Sequence, residues 1–258
     1  MELIRTEVVD HIGIITLNRQ EAANALSHQL LLELRQQLNI WSEETKIRVL
    51  IITGSGEKVF SAGADLKERV VMNEEQVRDA VSMISNTMFI LHEFPKPVIG
   101  AINGIAIGGG FELALACDLR VASENASFAL TETSLGIIPG AGGTQLLPKI
   151  IGIHKAKEMV FTGKRLSAQE ALQEGLVLKV TYRKELVDAA MDLAYDIAQR
   201  APLANYQAKI AMSKALETSL ERGMDLEREA YEEIISTKDR LEGLAAFQEK
   251  RPAKFTGE

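Results

Sequence analysis

The sequence predicts an α/β core followed by an α-helical tail. Up to residues 176–180, short apolar runs of strand character alternate with segments whose apolar residues recur every three or four positions. Beyond them nearly everything reads as helix. No long linker and no internal repeat divides the two parts, so one α/β domain with a helical extension fits best, with a core over 1–195 and a helical region over 196–258.

Residues 3–9 and 12–17 read as strands, 27–44 as a helix and 49–53 as a buried strand. In that helix Leu30, Leu31, Leu34, Leu38 and Trp41 fall at helical spacing behind Ser27, a good N-cap. A glycine-rich loop over 53–63 leads to a charged helix start at 65–69, and a helix over 74–92 is closed off by Pro95 and Pro97. An apolar strand over 98–103 follows, then a glycine-rich stretch over 104–110 and a short helix over 111–117. Strands are expected at 119–122 and 127–130, a second glycine-rich turn at 136–143 and a helix near 144–150. The last strand is expected at 176–180, before four helices over 184–199, 202–220, 225–236 and 238–249. Leu226, Ile234, Leu241, Leu244 and Phe247 of these helices need a surface to cover, and packing between subunits is an obvious use.

With 258 residues, 46% of them hydrophobic and 25% charged, the chain can bury a sizeable core without staples. The one cysteine, Cys117, lies in an apolar run and cannot form an intramolecular disulfide, which points to a reducing compartment. No export leader is expected at the start, and no apolar stretch reaches the ~18 residues of a membrane-spanning helix. The expectation is a cytoplasmic protein with no membrane association. A net charge of −7 disfavours a general nucleic-acid role, and an anionic ligand would need a local basic patch.

Several site types are excluded by inspection. Neither glycine cluster completes G-x-G-x-x-G, since Gln145 and Val59 stand where the last glycine belongs. No Walker A motif and no G-x-S-x-G elbow is present. His11, His28, His92 and His154 lack metal-ligand spacing, so no metal site is expected. What remains is two glycine-rich turns with carboxylates just beyond them. Over 107–112 the chain leaves a strand and starts a helix, so free N–H groups and the helix dipole point at one spot that would welcome an oxyanion. Glu112 sits in the first helical turn. Read singly, Glu112 suits a first-turn acid, Asp65 a cap and Glu132 a loop acid.

Taken together, these segments resemble the crotonase (enoyl-CoA hydratase/isomerase) superfamily. The resemblance runs from Phe60 to Glu68, through Pro97 to Gly104, Gly108 to Ala114 and Cys117-Asp118, to Leu135 to Gln145, and so covers nearly the whole chain. It implies a spiral of repeated ββα units with a C-terminal α-helical trimerisation region that also covers the active site, a homotrimer or homohexamer, and an acyl-CoA thioester as substrate. No separate cofactor is implied, because CoA is part of the substrate.

By motif match, the N–H groups of Ala64 and Gly109 are the oxyanion-hole donors, and Glu112 and Glu132 are the catalytic acids. Two carboxyl groups holding one water are what hydration of a 2-enoyl thioester requires, one accepting the water's proton and one supplying a proton to C2. The resemblance assigns Glu112 to the water and Glu132 to C2, the division within the pair staying open. Ala62, Asp65, Leu66 and Lys67 are implied substrate contacts, with Lys67 and Lys250 as candidates for the CoA phosphates. Glu21 departs from the family, whose hydratases often carry a basic residue near there. Residues 237–258 and 63–69 resemble the methylglutaconyl-CoA hydratase branch most, which raises 3-methylglutaconyl-CoA beside crotonyl-type substrates. Members of that branch also bind RNA through a lysine-rich helix. Here residues 27–37 hold one Arg and no Lys, so that function is not carried over. The alternatives are an enoyl-CoA isomerase and a non-catalytic RNA-binding hexamer.

Overall fold

The computed structural model describes residues 2–215 and 217–258. In chain order the core contains β1 (Ile4–Val9), β2 (Ile12–Leu17), α1 (His28–Glu43), β3 (Val49–Gly54), β4 (Val59–Ser61), α2 (Leu66–Arg69), α3 (Glu74–His92), β5 (Val98–Ile102), β6 (Ile105–Ile107), α4 (Gly109–Ala116), β7 (Leu119–Ser123) and β8 (Ser127–Ala129). There follow α5 (Gly143–Ile151), α6 (Ile153–Thr162), β9 (Leu166–Ser167), α7 (Ala168–Gln173), β10 (Lys179–Thr181), α8 (Leu186–Ala198), α9 (Pro202–Lys214), α10 (Leu220–Ile235) and α11 (Lys238–Glu249).

The strands form two sheets, one ordered β1-β2-β3-β5-β7-β10 and a smaller one ordered β4-β6-β8-β9. From β2 to β10 the large sheet is parallel, and β4, β6 and β8 are parallel in the small one. Each consecutive pair, β3-β4, β5-β6 and β7-β8, places its first strand in the large sheet and its second in the small, and helix follows. This is the expected ββα spiral.

Apolar runs covered on both faces build the large sheet. Along β3, Val49 and Ile51 face α8 through Leu186, Ala190 and Ala194, whereas Leu50 and Ile52 join Leu30, Leu34 and Leu38 of α1 on the other side. Ser27 caps α1 as expected, accepting from the Leu30 amide at 3.3 Å. Helix α4 is buried over its whole length, and the buried Arg120 closes its carboxyl end by donating to the carbonyls of Cys117 at 2.7 Å, Ala114 at 3.3 Å and Leu176 at 2.7 Å. Arg120→Met leaves those acceptors bare in a dry place, so a loss of about 2–3 kcal/mol is expected. A urea midpoint that falls at constant m would register it.

The structure differs from the sequence expectation at several elements. Strands β4 and β6 lie within stretches read as glycine-rich loop, because three-residue strands carry too little pattern to show against their glycines. The last strand is displaced from 176–180 to Lys179–Thr181, and α6 and α7 were not foreseen as separate helices. The helix expected over 202–220 ends at Lys214, with residue 216 outside the described residues, and α10 begins at Leu220 behind Ser219 as its N-cap. Position 195 falls inside α8, which packs on β3, β5 and β7 as part of the core layer. Among the described residues no helix is long and apolar enough to cross a membrane.

Candidate active site

Three segments leave the carboxyl ends of three adjacent parallel strands of the small sheet. Ala64 follows β4, Gly109 follows β6 and Glu132 follows β8, each within three residues of the strand end. In an open α/β arrangement that edge is where ligands gather, since the loops converge there.

The first two segments touch. A Cβ placed on Gly109 would lie 3.5 Å from the Ala64 nitrogen, so the two amides sit side by side. Gly109 is the first residue of α4, where an N–H has no carbonyl four residues back to meet. Among the described residues neither amide donates to a protein acceptor. Two adjacent free donors at a helix start are suited to an oxyanion.

Glu112, one turn into α4, is 2% exposed. Its Oε1 accepts from the backbone N–H of Ala141 at 2.8 Å and of Gly143 at 2.9 Å, both in the second glycine-rich turn. Burial pushes its carboxyl up, and the two amides offset part of that rise. Glu132 opens a short 3₁₀ turn after β8, and its Oε1 lies 2.9 Å from where a Cβ on Gly108 would sit. Its Oε2 is buried and, among the described residues, has no hydrogen-bond partner. Burial first and the nearby Glu112 charge second push its pKa up to about 7. The pair thus consists of one carboxyl fixed by amides and one poised to exchange a proton near neutrality.

A network that sequence reading missed holds the Ala64 loop in place. Asn24, fully buried, donates to the carbonyls of Ser55 and Val59 and accepts from the Arg19 amide, each at 3.0 Å. Its carbonyl accepts from Ser61 Oγ at 2.8 Å, and Ser61 Oγ accepts from the Gly63 amide at 3.2 Å. The Leu26 amide donates to the Gly63 carbonyl at 2.8 Å. The left-handed backbone of Ala23 and Asn24 that shapes it leaves no periodicity in the sequence.

The other sequence-predicted residues divide. Ala62, Leu66 and Lys67 are exposed on the Ala64 loop and α2. Asp65, 7% exposed, has its carboxylate committed within the loop: it accepts from Arg19 Nη1 at 2.5 Å and from the Lys67 and Glu68 amides at 3.0 and 3.4 Å. Burial alone would raise its pKa, but these donors outweigh it and hold the carboxyl below the usual range. Lys250 is not brought to this site within one chain. It ends α11 two residues before Pro252, which borders a cavity with His11 and Arg48 at the start of β3, whereas Ala64 and Gly109 lie beyond the far end of that strand.

The model of the enoyl-CoA hydratase/isomerase family matches residues 7–258. The chain belongs to the enoyl-CoA hydratase/isomerase family. Within it, the crystal structure of enoyl-CoA hydratase from Bacillus anthracis is 54% identical, with a TM-score of 0.97 over 99% of this chain and 100% of that one. The mitochondrial methylglutaconyl-CoA hydratase of Mus musculus is 44% identical over 96% of this chain and 80% of its own length. The mitochondrial enoyl-CoA hydratase domain-containing protein 2 of Homo sapiens is 45% identical over 94% of this chain and 85% of its own length. Near-equal identity to these two differently named relatives leaves the acyl group unassigned. The enoyl-CoA hydratase/isomerase fold nevertheless accounts for how three strand ends bring the two amides and the two acids together.

Proposed function

We propose that the chain is a hydro-lyase adding water reversibly to a trans-2-enoyl-CoA, with no metal or redox cofactor. The observation that carries this reading is the second acid: Glu132, with its unpartnered Oε2, stands near Glu112 beside the free amides of Ala64 and Gly109. The thioester oxygen accepts from both amides, which draws charge away from C3. Oε1 of Glu112 already accepts two N–H bonds, so Oε2 is left to take a proton from the attacking water as its oxygen bonds to C3. Negative charge collects on the thioester oxygen, and the enolate collapses as Glu132 gives its proton to C2. One proton enters the pair and one leaves it, so the pair carries one proton before and after. The experiment is direct: crotonyl-CoA should lose its conjugated-thioester absorbance on adding enzyme, and a 3-enoyl-CoA should not be the preferred substrate.

The pH dependence follows. The active pair holds one proton, and the reaction releases none, so the ratio of forward to reverse kcat/KM is independent of pH. Both are expected to fall together as pH rises above about 7, where Glu132 loses its proton. A flat profile through this range would contradict the assignment.

The same reading extends to features of the surface. Lys67 would meet a CoA phosphate, with Ala62, Asp65 and Leu66 lining the ligand through their backbone or exposed edges. Lys250 would serve a nucleotide held by a neighbouring subunit. Exposed Leu241, Leu244 and Phe247, the last 84% exposed, support a trimer or a hexamer built through residues 196–258. A buried free cysteine suits a reducing cytoplasm, and an acyl-CoA substrate suits a place in acyl-CoA degradation such as β-oxidation. The finer alternative, 3-methylglutaconyl-CoA as the substrate, rests on the resemblance at residues 63–69 and 237–258.

A further inference from the structure

The Ala64 amide is useful only while it stays beside that of Gly109, yet the segment that carries it has little packing to hold it there. On one side Asp65 borders a cleft of about 480 Å³ between α1, α2 and α3, and Leu26, another residue of its wall, brings its Cδ1 within 3.5 Å of where a Cβ on Gly109 would sit. Helix α2, which follows directly, has four residues and buries none of them. On the other side the segment is laid along residues 23–26. The Ala62 amide donates to the Ala23 carbonyl at 3.0 Å and the Leu26 amide to the Gly63 carbonyl at 2.8 Å, and Leu26 and Ala64 form an isolated parallel bridge. A bridge of this kind uses the carbonyl before Ala64 and turns the Ala64 N–H away from Leu26, towards the start of α4.

One side chain spans this bridge. Arg19 Nη1 donates to the Asp65 carboxylate at 2.5 Å and to the Ala25 carbonyl at 3.3 Å, and those two residues flank the bridge, one on each segment. Arg19 is itself anchored, since its amide donates to Asn24 Oδ1 at 3.0 Å and its carbonyl accepts from the Asn24 amide at 2.9 Å. The ion pair is sheltered, with side chains 21% and 7% exposed. Such a pair adds little net stability, because desolvation offsets the attraction. For its cap, α2 needs from Asp65 only an acceptor, which an asparagine would also provide. Neither role calls for a guanidinium here. Its distinctive effect is on where residue 65, and with it the Ala64 amide, comes to rest.

We propose that Arg19 is a positioning residue for the reaction: through Asp65 it holds the Ala64 N–H beside that of Gly109, so that both meet the thioester oxygen as charge develops on it. The inference rests on the oxyanion site of the hydratase reading and assigns what keeps that site assembled. Arg19→Met should lower kcat for crotonyl-CoA by about 10- to 100-fold, the scale of a donor displaced by about 1 Å, with KM within about 3-fold of wild type. Asp65→Asn, which keeps the cap, should do the same, and the double variant should be no slower than the slower single one. Arg19→Lys should recover part of the loss. The second readout is acetoacetyl-CoA, whose enolate carries charge on the thioester oxygen and absorbs in the near ultraviolet. At neutral pH and saturation, wild type should hold it largely as the enolate and Arg19→Met should show that absorbance reduced by about 10-fold; ligand still bound certifies that the variant folds. Undiminished enolate absorbance in Arg19→Met, or single losses that multiply in the double variant, would overturn the proposal and leave the hydratase reading intact. If wild type enolises acetoacetyl-CoA without hydrating crotonyl-CoA, the hydratase reading falls and the enolate comparison alone decides for or against Arg19. A wild type that does neither removes both.

Discussion

Glu132→Gln is expected to cut kcat for hydration by roughly 10²- to 10⁴-fold while KM stays close to the wild-type value. The amide keeps the shape of the side chain but has no acidic proton to give C2. Binding is retained because the Ala64 and Gly109 amides and the cleft beside them are untouched. The residual activity should also lose the decline above about pH 7, since the group that titrates there is gone. Stability should move the other way. A carboxyl raised from 4.5 to about 7 on folding contributes stability at pH below 4.5 that is lost as pH rises through about 7. At pH 8 the variant therefore melts at or above the wild-type temperature, measured by thermal unfolding of each. Full activity in Glu132→Gln would remove this residue from the chemistry.

Gly63→Ala should be nearly as damaging to the reaction, by a different route. Gly63 has φ +83°, and a Cβ there would lie 2.7 Å from the Ile107 carbonyl oxygen and 2.8 Å from the Gly109 nitrogen. The methyl must push the Ala64 loop away from the start of α4, separating the two donors. Loss of one oxyanion donor is worth about 10²- to 10³-fold in kcat, and that is the expected fall. Gly152→Ala is the matched comparison, with φ +79° and nothing within 4 Å of its Cβ. It should share the backbone strain, about 1–2 kcal/mol by urea unfolding, and keep kcat. Equal kcat in the two variants would mean that the Ala64 and Gly109 amides do not act together.

How far the sequence foretold this molecule depends on where the information resides. The large sheet and α1 were legible because Val49 to Ile52 and Leu30, Leu34 and Leu38 repeat a burial pattern that local periodicity records. Of the small sheet only β8 was, as the strand expected over 127–130. Strands β4, β6 and β8 hold three residues each and exist through pairing with one another across long separations, yet it is their ends that assemble the site. Glu112 and Glu132 were reached through resemblance, each being an ordinary loop or helix acid when read alone. The donors of Ala64 and Gly109 leave no side-chain mark at all. Asn24 was overlooked for a related reason: a buried amide side chain becomes conspicuous only once its neighbours are known. Asp65 reads as a cap in the sequence and serves as one, with Arg19 as a partner that no spacing rule supplies.

The central claim is that two acids and two backbone amides add water across an enoyl thioester. It is tested most directly by incubating the wild-type enzyme with crotonyl-CoA in 18O-labelled water and analysing the product by mass spectrometry. The account predicts a 3-hydroxyacyl-CoA carrying the label at C3, formed with the loss of enoyl absorbance and slowed together with it in Glu132→Gln. Recovery of crotonyl-CoA unlabelled, or conversion to a 3-enoyl-CoA with no oxygen incorporated, would contradict it.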